Sequence, residues 1–242
     1  MRLLQFLVLL STLQPLFAGT ISGIVHAQGK EGADGDAAGG EYASKSLKFA
    51  ERINYDEIRP FVVYLQGKVP GAKVATPLEM VRQKDAMFVP HVLPIMVGTT
   101  VEWPNEDPIF HNVYSKSDAA PFDLGLYKKG DPPHRYTFDK PGEVDVFCSI
   151  HARMNCIVLV LENPYFSVSD AHGHYSITNV PPGNYTLVAW QERLPKDVKV
   201  IEMPRNGDLS GVNFTLGTKN LPQHSLPWPS GKDLSSSFKP RY

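Results

Sequence analysis

The sequence predicts an all-β protein, and three observations predict it. Its 21 Pro and 19 Gly lie scattered between short apolar runs, as turns between strands do. Several runs alternate in polarity, as in Glu143-Val144-Asp145-Val146-Phe147, the period of a strand with one buried face. At 242 residues with 42% hydrophobic side chains, the chain can fill one large core or two small ones.

Met1-Arg2, the apolar run Leu3 to Leu10 and the small residue Ala18 have the order of a secretory signal. Residues 1–18 are therefore expected to be removed, placing the protein in the periplasm or otherwise secreted. Val25-His26-Ala27 is a competing cleavage site, but cutting there would destroy a strand at Thr20 to Val25. A membrane anchor is the competing reading of the whole segment, yet its apolar run is short for a bilayer. No later stretch is apolar enough to cross a membrane, so no span is expected once the signal is gone.

After the Thr20 strand, Gln28 to Ser44 is Gly, Ala, Asp and Glu with little to bury, and reads as a linker. Lys45 to Arg59 holds a helical turn or two. Phe61 to Leu65 reads as a buried strand ended by Gly67, and Pro70-Gly71 as a turn. Met87 to Gly98 is apolar but broken by prolines, as edge strands are. Thr99 to Trp103, Pro121 to Tyr127, Tyr136 to Asp139, Glu143 to Phe147 and Cys156 to Leu161 supply further strands. This meander carries His111 and the segment after Phe147 to one end of a sandwich.

That segment is Cys148-Ser149-Ile150-His151-Ala152-Arg153-Met154. With His111 it offers a thiolate, two imidazoles and a thioether, the donor set of a trigonal His₂Cys copper site with a weak axial Met. A single His in a strand loop is usually a surface or core residue, and a single Cys is usually packing. Four fitting residue types at fitting spacings outweigh that reading; a site that has lost its metal is the alternative. His91 is a further candidate imidazole, but the Cys-x₂-His loop already supplies one and His111 the other.

At these residues, over roughly Phe88 to Glu162, the sequence resembles the cupredoxins, or blue-copper proteins, most closely their amicyanin and plastocyanin branch. The Cys-x₂-His-x₂-Met spacing and His111-Asn112-Val113 after Trp103-Pro104-Asn105 carry the resemblance. It implies a Greek-key β-sandwich over 73–162 with one type 1 copper ion, held by His111, Cys148, His151 and Met154, that passes single electrons. Asn112 is expected to bond across to the backbone or hydroxyl of Ser149 and so steady the loop. His151 is expected to be the exposed imidazole edge. Pro108, Ile109, Phe110, Ile150, Ala152 and Arg153 would surround it as a docking patch for the transient contact of a redox partner protein, with an acidic rim answering Arg153. The competing reading is that they pack the copper end.

The formal net charge of −1 gives no electrostatic case for nucleic acid or anionic membrane. In an oxidising compartment the two cysteines raise the question of a disulfide. Pairing Cys148 with Cys156 would consume the thiolate, so Cys156 is expected to be a buried thiol. Cys156 stands where the family commonly has Gly, which makes it a competitor of Met154 as axial donor.

Beyond Pro164, Phe166 to Ile177 reads as a hairpin with Gly173 at its tip, and Pro181-Pro182-Gly183 turns into a strand ending at Trp190. Asp197 to Met203 and Val212 to Leu216 add strands. Asp170-x-x-Gly173-x-Tyr175 followed by Val180-Pro181-Pro182-Gly183-x-Tyr185-x-Leu187 resembles the small sandwich of the carboxypeptidase-regulatory-like domains, a resemblance of fold that says little about activity. Its missing front strands look like Thr20 to Val25 and Phe61 to Leu65. A discontinuous accessory sandwich of residues 19–67 and 163–217, with the copper unit inserted, is therefore expected, followed by a mobile tail at 218–242. His172 and His174 read as solvated turn residues rather than a metal site. Asn184-Tyr185-Thr186 and Asn213-Phe214-Thr215 fit glycosylation acceptors.

Three functions compete: an exported electron carrier, an enzyme, and a binding module in which copper is structural, stored or absent. Multicopper oxidases carry His on both sides of the type 1 Cys, whereas Phe147 and Ser149 flank Cys148. Copper nitrite reductases need a second copper between repeated domains, and no repeat is visible. An electron carrier rather than an enzyme is expected. Trp190, Tyr185 and Tyr175 would form the recognition face of the module, with core packing as the competing reading.

Overall fold

A computed structural model describes residues 18–28, 58, 60–72 and 77–217. The signal, the segment 45–57 expected to hold helical turns, most of the linker and the tail lie outside the described residues. Among the described residues the structure is all-β, without helices. In chain order it begins with β1 (Gly19–Gln28) and β2 (Val62–Leu65). Ten strands follow: β3 (Leu78–Met80), β4 (Arg82–Lys84), β5 (Met87–Val89), β6 (Val92–Met96), β7 (Thr99–Trp103), β8 (His111–Ser115), β9 (Phe122–Tyr127), β10 (His134–Phe138), β11 (Gly142–Phe147) and β12 (Asn155–Leu161). The last are β13 (Phe166–Val168), β14 (His174–Val180), β15 (Gly183–Gln191), β16 (Leu194–Met203) and β17 (Phe214–Gly217).

The middle ten strands make one sandwich. A sheet ordered β6-β12-β11-β8-β9 faces a sheet ordered β10-β7-β3, and the β4-β5 ribbon stands beside them. Alternation does the work here: Val144 and Val146 point inward from β11 while Glu143, Asp145 and Phe147 do not. The inward side chains, Trp103, Phe138, Val144, Val146, Val158 and their neighbours, form one core drawn entirely from residues between Val81 and Val160. β6 is an edge strand, paired only with β12, as Pro94 within it requires.

The flanking strands make a second sandwich with sheets β14-β1-β17 and β13-β2-β15-β16. Its core joins Ile21, Val25, Phe61 and Leu65 from before the insertion to Ile177, Leu187 and Phe214 from after it. The points of exit and re-entry lie side by side. Phe166 pairs with Tyr64, and Asn163, fully buried, donates to the carbonyls of Leu65 at 2.6 Å and Gly67 at 2.7 Å.

One expectation is corrected and one open reading is decided. Phe166 to Ile177 is not a hairpin: β13 pairs with β2 and β14 with β1, in different sheets. The turn at its tip is real, with Gly173 N–H donating to Asp170 O at 3.1 Å. It serves to step the chain between sheets, and only Gly fits it. Gly173 has φ of +84°, and a Cβ there would lie 2.2 Å from Val25 O. The open reading is that of the aromatics, between a recognition face and core packing. Trp190 and Tyr175 are buried at 2% and 4% exposure, and the Tyr175 and Tyr185 hydroxyls donate to the carbonyls of Val212 and Pro181. These aromatics are core.

The two sandwiches meet face to face. Val62 and Trp190 of the second pack with Val92, Leu159 and Leu161 of the first.

Candidate metal centre

His111 opens β8 and is fully buried; the sequence reading gave it a place after β7 but no strand of its own. Cys148 follows the last residue of β11 and is buried, while His151 is half-buried in the loop that leads to β12. The loop closes on itself: Cys148 N–H donates to Met154 O at 3.1 Å and Met154 N–H to His151 O at 2.9 Å.

The three donors converge. His111 Nδ1 and His151 Nδ1 face each other at 3.0 Å, and Cys148 Sγ lies 3.7 Å from His151 Nδ1. Among the described residues this is the one group of three or more potential ligands, with all donor atoms within 4.8 Å. An ion bonded at about 2.0 Å to nitrogen and about 2.3 Å to sulfur, at an angle of roughly 120°, separates the two by roughly 3.8 Å. The two Nδ1 atoms are close enough to share either a proton or a cation. The residues therefore fit a metal ion, and a thiolate with two imidazoles is the donor chemistry suited to copper. Met154 is buried in the same apolar cluster as Cys148.

Asp107 completes the arrangement, and the sequence reading missed it. Its Oδ2 lies 2.9 Å from His111 Nε2. A carboxylate only accepts, so Nε2 carries the proton and Nδ1 is left as the lone-pair nitrogen. Burial works to raise the Asp107 pKa, but N–H bonds from Ala86, His111 and Asp85 outweigh it and hold the carboxyl below its usual range. The available signal was a carboxylate four residues before His111 in a turn-forming Asn105-Glu106-Asp107 stretch; Asn105 Oδ1 in turn accepts from Asp107 N–H at 2.8 Å.

Ser149 N–H donates to Asn112 Oδ1 at 2.7 Å. Asp123, also unforeseen, fixes that amide by accepting from Asn112 Nδ2 at 2.9 Å. Around the half-buried His151, Pro108, Ile109, Phe110, Ile150, Ala152 and Arg153 are all exposed. Lys128 Nζ sits 5.3 Å from the centre of the Phe110 ring, a second cation at the patch.

The other candidates lie elsewhere. Cys156 is a free, buried thiol whose pKa burial pushes up, with Asp145 adding to it, and it is not in the ligand group. Cys148 is likewise unbridged. His91 bonds Asn155 O and Glu192 instead. His172 and His174 are exposed, and His174 Nδ1 lies 3.2 Å from Asp170 Oδ2.

No protein-family model and no curated protein matches the chain. Among solved structures it is similar to the copper-containing nitrite reductase NirK from Thermus scotoductus SA-01, at 37% identity and TM-score 0.34 over 40% of this chain and 25% of that one. It is similar to a reduced amicyanin variant at 26% identity and TM-score 0.32, over 40% of this chain and 97% of that one. A purple cupredoxin from Nitrosopumilus maritimus matches at 26% identity and TM-score 0.30, over 34% of this chain and 97% of the other. The chain thus spans a quarter of the nitrite reductase and nearly all of the two cupredoxins. At these TM-scores none of the three carries a functional assignment.

Proposed function

We propose that the chain is an exported type 1 copper protein that carries single electrons between redox partner proteins, in the periplasm or otherwise outside the cytoplasm. The observation that supports this is the convergence of His111 Nδ1, His151 Nδ1 and Cys148 Sγ at one pole of a β-sandwich. Bound copper would supply a one-electron couple that thiolate and imidazole donors accommodate in both oxidation states.

The protein's own residues do the rest. Asp107 holds the proton of His111 on Nε2 and fixes the ring, so the Nδ1 lone pair stays aimed at the site. Asn112 holds the backbone after Cys148. A fixed donor set reorganises little when charge changes, which keeps electron transfer fast. His151 is the donor nearest solvent, within an exposed apolar surface of Ile109, Phe110 and Ile150 that suits a small, fast-exchanging contact. Arg153 and Lys128 favour a partner with acidic residues at its rim.

The test is the absorption spectrum and voltammetry of the Cu(II)-loaded protein. An intense thiolate-to-copper band, lost in Cys148→Ser, with a reversible one-electron couple, supports the carrier. A colourless, redox-silent protein overturns it in favour of a binding module. Sequencing the mature N-terminus from an exporting host tests removal of residues 1–18.

A further inference from the structure

We propose that the second sandwich braces the metal-binding loop, with His91 and Glu192 as the positioning pair nearest the ligands; this rests on reading His111, Cys148 and His151 as a metal site. The loop from Cys148 to Met154 hangs between β11 and β12, and the second sandwich grips both strands. On β11, Glu143 Oε1 accepts from Trp190 Nε1 at 2.9 Å and pairs with Lys196 at 2.5 Å. On β12, Leu159 and Leu161 are buried against Val62 and Trp190.

The third grip reaches the first residue of β12, where the loop ends. Asn155 is the residue after Met154, and its carbonyl lies 3.1 Å from His91 Nδ1. The other ring nitrogen, Nε2, lies 2.8 Å from Glu192 Oε2, in the turn between β15 and β16. A carbonyl and a carboxylate only accept, so each ring nitrogen bonds its partner through an N–H. His91 is itself anchored to β12, since its carbonyl accepts from Ile157 N–H at 2.8 Å. A continuous relay thus runs from a turn of the second sandwich, through one imidazole, to the backbone beside Met154.

What the relay holds is a loop with little support of its own. Two internal backbone bonds close it and Asn112 Oδ1 accepts from Ser149 N–H, and loops held by so few bonds open at low free energy. Fixing Asn155 restricts the end of the loop and so keeps the donors converged whether or not a metal is present, which is preorganisation of the site. The pair is partly exposed, at 42% and 24% of its side-chain surface, so its share is a few-fold effect rather than a large one.

The experiment follows amide hydrogen exchange at Cys148 and Met154 in the metal-free full chain, and release of Cu(II) to a chelator from the loaded one. Glu192→Gln and His91→Ala are expected to speed both by roughly two- to fivefold. Val101 in the core of the same sandwich keeps its protection, and so does the loop in the control Glu202→Gln. Should His91→Ala fold poorly, Glu192→Gln alone decides. Unchanged exchange at Cys148 and Met154 overturns the brace, even if copper binds. Faster exchange in a protein that forms no thiolate-copper band keeps the brace and removes the metal reading instead.

Discussion

Asp107 Oδ2 and His111 Nε2 lie 2.9 Å apart, with the histidine fully buried, so one carboxylate settles which face of the imidazole can bind a metal. The same carboxylate accepts the N–H groups of Asp85 and Ala86 at 2.9 Å each. Ring orientation and the turn between β4 and β5 therefore share one acceptor.

Asp107→Ala is expected to lower metal affinity by about 10- to 100-fold, the usual effect of removing a carboxylate behind a ligating histidine. Competition titration against a chelator measures it. Affinity within twofold of the parent would mean that His111 is held by packing alone.

On the proposed copper site, with Met154 as its weak axial donor, Met154→Leu is expected to retain copper and the blue colour while raising the reduction potential, because the axial donor is removed and the trigonal set remains. Voltammetry reads it. An unchanged potential would shift the axial position to Cys156 or a backbone oxygen.

Cys156→Ser is expected to leave the thiolate-copper band in place and to destabilise the fold by about 1–3 kcal/mol, the cost of burying a hydroxyl among apolar side chains. Urea denaturation measures the second effect and absorption the first. Loss of the band would make Cys156 a ligand.

Asp170 gives a dependence on pH. Its carboxyl is held below the usual range chiefly by the N–H of His174, against an opposing effect of desolvation, with the N–H of His172 and the His174 ring adding to the lowering. A depressed carboxylate stabilises the fold above its unfolded pKa of about 3.9, and this is lost as pH falls through the folded value. Asp170→Ala should therefore be less stable than the parent at pH 6, and the difference should close toward pH 2 in urea titrations.

The approach of Cys148 and His151 was legible because only two residues separate them, where local spacing alone constrains geometry. Most strands were legible from alternation, which reports the local chain. Sheet partners are another matter. The run Phe166 to Ile177 has the composition of a hairpin, yet β13 and β14 find partners in β2 and β1, a choice made by distant apolar faces. Asp107 and Asp123 were illegible for a related reason: turns and strands alike carry carboxylates, and only the fold decides which one meets a histidine or an asparagine. Trp190 could be read as surface or core, and its burial against Leu159 and Leu161 depends on how two units dock.

Asn163 ties the carbonyls of Leu65 and Gly67, and so joins the two ends of an excursion of nearly a hundred residues. Closing so long a loop from a disordered chain would cost roughly 4 kcal/mol in the ideal-chain estimate. A sandwich that folds with its own ends together removes that cost beforehand. An inserted unit folded with its ends together spares the host that closure, so unfolding the guest costs the host stability as well.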